Sequence, residues 1–86
     1  MRIARTRIFT KAWEHLTDEQ RTMGRKAIEQ MVKDLRYPSL RVKRMQGAGH
    51  MWEARASRSL RITFQVEGDV ILLRNIGPHD ETLERP

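Results

Sequence analysis

Leu60-Arg61-Ile62-Thr63-Phe64-Gln65-Val66-Glu67-Gly68-Asp69-Val70-Ile71-Leu72-Leu73-Arg74-Asn75-Ile76 is the stretch that decides the fold. Apolar residues at 60, 62, 64 and 66 alternate with Arg61, Thr63 and Gln65. That two-residue period is the mark of a strand with one face in a core and the other in water. Glu67-Gly68-Asp69 reads as a tight turn in which Gly68 takes positive φ. Val70–Ile76 is more continuously apolar, as befits a strand inside a sheet. The hairpin stops at Gly77-Pro78 and delivers His79-Asp80 to the sheet edge, with Arg61 on the polar side. A cationic strand beside an imidazole points to a phosphodiester site.

Outward from this hairpin, Met51–Ala56 is a further strand, with Trp52, Ala54 and Ala56 on one face and Glu53 and Arg55 on the other. Residues 2–9 are rich in β-branched and aromatic side chains with rough alternation and are expected to form a first strand. Thr10 is expected to cap a short helix, Lys11–Leu16. Thr17 with Gln20 makes a capping-box pattern for a second one. In that helix Met23, Ala27, Ile28, Met31, Val32 and Leu35 recur at three- and four-residue steps, opposite Arg21, Arg25, Glu29 and Lys33. Tyr37-Pro38-Ser39 ends it, because a residue before proline is pushed out of helical geometry. The expectation is one α+β domain over residues 1–86 in the order β-α-α-β-β-β. Two N-terminal helices pack on one face of a small, mostly antiparallel sheet. Its other face is concave and cationic, carrying Arg55 and Arg61.

Eighty-six residues without cysteine exclude a disulfide framework, a thiolate nucleophile and a thiolate metal site. The longest apolar run, Val70-Ile71-Leu72-Leu73, is far short of a signal or membrane segment, so a soluble, cytoplasmic protein is expected. The net charge of +6 is uneven. Residues 1–45 hold twelve Lys/Arg against five Asp/Glu, and residues 46–86 hold five against six. A basic half of this kind attracts polyanions, nucleic acid first, or an acidic partner protein. His15, His50 and His79 have no metal-ligand spacing, and Gly47-Ala48-Gly49 lacks the lysine and strand context of a phosphate loop. No metal and no cofactor are expected.

Taken together, Leu40-Arg41-Val42-Lys43-Arg44, Gly47-Ala48-Gly49, Trp52-Glu53-Ala54-Arg55, Arg61-Ile62-Thr63-Phe64, Gly68-Asp69 and Gly77-Pro78-His79-Asp80 resemble the pattern of the RelE/ParE toxin superfamily. With the order of elements, the resemblance spans nearly the whole chain, although each motif is short and degenerate. It implies the toxin of a type II toxin–antitoxin system, neutralised by a cognate antitoxin. Two activities occur on this fold. RelE-type members cleave mRNA in the ribosome, whereas ParE-type members inhibit DNA gyrase and cut nothing.

For RelE-type chemistry the resemblance implies His79 as general acid and Arg55 and Arg61 as the grip on the scissile and neighbouring phosphates. Lys43 and Arg44, with Arg41, lie where family members carry RNA-contacting bases. An imidazole suits the acid because it titrates near neutrality, and guanidinium offers a planar fork of donors with a permanent charge. His50 is a second acid/base candidate, and Asp80 orients the imidazole if the chain turns at Gly77-Pro78. Each has a plainer alternative: a strand-capping histidine, a solvated sheet face, or ion pairs of the arginines with Glu53 or Glu67. Trp13 and Trp52 fit core packing better than base stacking. One departure favours the non-nuclease alternatives, a gyrase inhibitor or a degenerate RNA- or antitoxin-binding member. The tail Thr82-Leu83-Glu84-Arg85-Pro86 lacks the aromatic that RelE-like nucleases commonly place there.

Overall fold

Thr6 ends the first strand and starts the first helix. In the computed structural model, which describes residues 1–47 and 49–86 except the side chains of 79–81, β1 spans Arg2–Arg5 and α1 spans Arg7–Glu14. Thr6 Oγ1 accepts from the Phe9 N–H at 3.1 Å, and the same hydroxyl donates to the Arg74 carbonyl at 2.9 Å. The strand expected over 2–9 is thus four residues long, and the cap moves from Thr10 to Thr6. A satisfied N-cap, together with burial of Phe9 on the helix face, outweighs the strand propensity of Ile8 and Phe9.

Helix α2 (Asp18–Lys33) begins with the capping box read from the sequence. Thr17 Oγ1 accepts from the Gln20 N–H, and Gln20 Oε1 accepts from the Thr17 N–H. Ala27 and Met31 enter the core. The helix stops at Lys33, four residues before Tyr37, so Leu35 packs from beyond its end. The two helices meet at Gly24, where an added Cβ would lie 2.8 Å from the Trp13 ring. Trp13 stacks on Phe9 with centroids 6.0 Å apart and carries the Arg25 guanidinium 5.7 Å from its centroid. It is a packing residue.

After a 3-10 turn at Pro38–Leu40 come β2 (Lys43–Arg44), β3 (Trp52–Arg55), β4 (Leu60–Glu67), β5 (Val70–Pro78) and α3 (His79–Glu84). The sheet order is β1-β5-β4-β3-β2. β1 runs parallel to β5, and every other pair is antiparallel. The α+β architecture is the expected one, with β5 inside the sheet. Two elements are additional. β2 forms because Lys43 and Arg44 pair with Glu53 and Trp52, where a loop was expected. α3 follows because Pro78 has no N–H with which to extend the ladder, and the polar run after it has no strand alternation.

A β-bulge sets which residues reach each face. Thr63 opposes Asn75 while Phe64 opposes Leu73, leaving Arg74 as the extra residue. Ile71, Leu73 and Ile76 therefore all enter the core with Leu60, Ile62 and Phe64. On the opposite face the register aligns Lys43, Glu53, Thr63 and Asn75 in one row and Arg55, Arg61 and Gly77 in the next. Helix α3 returns over this polar face: a Cβ on Gly77 would sit 2.8 Å from Thr82 Oγ1, and Asn75 Nδ2 donates to the Arg85 carbonyl at 2.7 Å. Among the described residues no helix is long and apolar enough to cross a membrane.

Candidate nucleic-acid interface

Antiparallel pairing places Arg55 directly opposite Arg61, so both side chains leave the same face of the sheet. Like charges in this relation repel. The hairpin between the two strands relieves part of that repulsion with carbonyl oxygens. Arg55 Nε donates to Ser57 O at 3.4 Å, while Arg61 Nη1 donates to Ser57 O at 2.8 Å and to Arg58 O at 3.2 Å. Neither arginine has a carboxylate partner among the described residues; the expected alternative of pairing with Glu53 or Glu67 is not what the structure contains. Arg61 uses only Nη1, leaving Nε and Nη2 without partners among the described residues.

These arginines line a bay of about 210 Å³ together with Arg41, Lys43, Glu53 and Ala54. Arg41 enters from the 3-10 turn, where it is the one non-glycine residue at positive φ (45°) among those described. Lys43 enters from β2. Burial and repulsion from the Arg55 charge push the Arg61 pKa down; Glu53 opposes them, and Arg41 adds to the repulsion. Four cations around one small bay favour an anion there, and guanidinium forks have the donor geometry that suits carboxylate or phosphate oxygens.

Glu53 is the residue that sequence reasoning placed on the polar face and offered as an ion-pair partner of the arginines; the structure pairs it with Lys43 instead. It is 4% exposed, and its Oε1 accepts from Lys43 Nζ at 3.0 Å. Its Oε2 has no hydrogen-bond partner among the described residues, and neither has Thr63 Oγ1, which faces it across β3 and β4. The available signal was an acid inside an alternating strand, two residues from Arg55 on the same face.

The other candidates fall at different distances from the bay. Arg44 pairs with Trp52 and so alternates to the opposite side of β2 from Lys43. His50 lies exposed on the 45–51 loop, outside the residues that line the bay. His79 opens α3, directly after the strand end where Pro78 pairs with Leu60. The side chains of His79 and Asp80, and all of Ala48, lie outside the described residues. Among those described, no group of three or more His, Asp or Glu is placed to hold a metal ion.

No family model matches the chain. Nor does any curated protein match it by sequence. Solved structures do match by shape. The RelE of a RelB–RelE antitoxin–toxin complex from Methanococcus jannaschii superposes with a TM-score of 0.71 at 20% identity, over 96% of this chain and 99% of that one. A copper-bound mutant toxin from Helicobacter pylori gives 0.76 at 16% identity, over 94% and 97%. A chain of the Escherichia coli DinJ–YafQ toxin–antitoxin complex gives 0.77 at 8% identity, over 92% of each. At such identities the likeness is one of architecture, and the architecture of this chain is the RelE-like toxin fold.

Proposed function

We propose that this chain is the toxin component of a type II toxin–antitoxin pair and acts in the cytoplasm as a ribosome-dependent mRNA endoribonuclease. The observation that carries the reading is the Arg55–Arg61 pair, two guanidiniums on one face with no acidic partner among the described residues. Support also comes from the solved relatives, several of which are toxin–antitoxin complexes.

In this reading Arg55 and Arg61 bind the scissile and adjacent phosphates and stabilise the charge that builds on phosphorus. Lys43, Arg41 and Arg44 guide the RNA strand electrostatically. His79 protonates the 5′-oxygen as it leaves, with Asp80 orienting the ring, and His50 is the reserve base for the 2′-hydroxyl. The chemistry requires no metal or cofactor, since the cations are supplied by the chain. A cognate antitoxin silences the protein by covering basic surface.

The test is mRNA cleavage by the purified protein with and without ribosomes, mapped by primer extension beside His79→Ala. Ribosome-dependent cuts that disappear in the variant establish the nuclease and its acid together. Absence of cuts in both conditions, with inhibition of DNA supercoiling by gyrase, would assign the chain to the non-catalytic inhibitors instead.

A further inference from the structure

The helical period puts Met23 in the buried stripe of α2, yet it is 36% exposed. It lines a second cavity of about 240 Å³, a groove between α2 and the end of the β3–β4 hairpin. Met23, Lys26, Ala27 and Gln30 follow one another at three- and four-residue steps, so all four stand on one face of the helix. Arg55, Ala56 and Ser57 line the groove from the hairpin side. Arg55 is the one residue that this groove shares with the cationic bay, so the two meet at its side chain. Their linings differ in kind. Four cations dominate the bay, whereas the groove combines apolar surface from Met23, Ala27 and Ala56 with uncharged polar groups and no acid. Gln30 and Ser57 are half-buried, and their amide and hydroxyl make no hydrogen bond among the described residues. Lys26 has no ion-pair partner there.

Pockets for whole small molecules run to roughly 300–1,000 Å³, so the groove has room for a single ring system. A nucleobase offers two apolar faces and an edge of donors and acceptors, and unstacked bases are recognised by such surfaces. Methionine suits one face, because its flexible thioether adapts to flat aromatic rings. We infer that the groove is a base-reading subsite for the nucleotide next to the phosphate on Arg55. Its base lies against Met23 and Ala56, Gln30 and Ser57 pair with its edge, and Lys26 takes the following phosphate. The inference rests on the proposal that the bay binds RNA, but not on cleavage. It names the side chains through which a sequence preference enters.

The experiment is fluorescence anisotropy with labelled oligo(A), oligo(C) and oligo(U) over a salt series, on wild type, Gln30→Ala, Lys26→Ala and Arg55→Gln. Alanine is the best residue for a helix interior, so the two helix variants keep the fold, which circular dichroism verifies. In Gln30→Ala the affinity ratios among the three RNAs should shift by about three- to tenfold, the size of one hydrogen bond, with the salt dependence unchanged. In Lys26→Ala all three RNAs should weaken together. The slope of log affinity against log salt should fall by about 0.7, the share of one phosphate on a single strand. Arg55→Gln should weaken every RNA. Unchanged ratios in Gln30→Ala would overturn base reading, even if Lys26→Ala lowers the slope and the groove carries phosphate alone. If Arg55→Gln weakens binding while both helix variants match wild type, the inference fails and the bay stands. Failure of wild type to bind any of the RNAs would overturn the reading of the bay, and this inference with it.

Discussion

Arg55 and Arg61 face each other across β3 and β4, and both guanidiniums donate to one carbonyl oxygen, that of Ser57. A fold optimised for stability alone would put opposite charges, or an apolar pair, at these positions. Two like charges sharing a neutral acceptor are kept in place by the hairpin and left without a carboxylate partner among the described residues. Arg61→Leu is therefore expected to separate stability from function. Thermal unfolding should show a loss of no more than about 1 kcal/mol, because the hydrogen bonds to the Ser57 and Arg58 carbonyls are lost while the repulsion from Arg55 is relieved. Cleavage and RNA binding should fall by about 10²-fold or more. A large loss of stability in this variant would mean that the arginine is structural.

Arg41 holds a left-handed backbone conformation, φ 45° and ψ 47°, that L side chains adopt at a cost of about 1 kcal/mol. Arg41→Gly should raise the unfolding free energy by up to about that amount, less the added entropy of the unfolded chain. The same variant should weaken nucleic-acid binding, since it removes one of the four cations at the bay. Chemical denaturation and anisotropy on one preparation read both effects.

Gly24 has no room for a methyl group, since its Cβ would meet Trp13 Cζ3 at 2.8 Å and Ile76 Cδ1 at 3.2 Å. In an isolated helix Gly→Ala is favourable by about 1 kcal/mol. Here Gly24→Ala should instead destabilise by about 1–3 kcal/mol, the range for overpacking a closed contact. Urea unfolding gives the sign directly, and Trp13 fluorescence should shift in the native baseline.

Thr6→Ala removes an acceptor for Phe9 N–H and a donor to Arg74 O together, and should cost about 1–2 kcal/mol. Thr10→Ala should be nearly neutral, because the Thr10 hydroxyl donates only to the Thr6 carbonyl one turn back, at 3.2 Å. If the two costs came out reversed, α1 would start where the sequence pattern alone placed it.

Asp34 caps the end of α2. Its carboxylate accepts first from the Arg36 backbone N–H and then from the Arg36 side chain, which lowers its pKa below the ordinary value of 3.8. A depressed carboxylate stabilises the fold fully above its unfolded pKa, and that contribution is lost as pH falls through the folded value. Its share of stability should thus be constant at neutral pH and decline below about pH 4. The NMR titration of Asp34, compared in wild type and Arg36→Ala, should show the midpoint return upward in the variant.

The hairpin, the capping box at Thr17 and Gln20, and the facing of Arg55 and Arg61 were all legible because each depends on neighbours within a few residues. The boundary at Thr6 was not. Its hydroxyl is anchored by the carbonyl of Arg74, a bulge residue 68 positions away, and nothing local announces that bond. The short strand at Lys43 and Arg44 escaped for the same reason, since its partners are Glu53 and Trp52 across a loop. In the site, basic residues were visible as a charge pattern. The burial of Glu53 was not visible: only depth distinguishes a carboxylate on a wet sheet face from one enclosed against Lys43.

The parallel pairing of β1 with β5 also governs the order of assembly. Among the described residues Arg2–Arg5 has no sheet neighbour but Val70–Leu73, so the first strand must wait for more than sixty intervening residues before it can dock. Helices α1 and α2, whose caps are local, and the β4–β5 hairpin, whose turn is local, can form early; the sheet is completed only when β1 docks against β5. Closing so long a loop carries an entropic penalty that falls before the contacts return it, which makes docking of β1 the expected slow step in folding. The polar face around Arg61 rests instead on the two local hairpins that join β3, β4 and β5, so it can take shape before the first strand arrives.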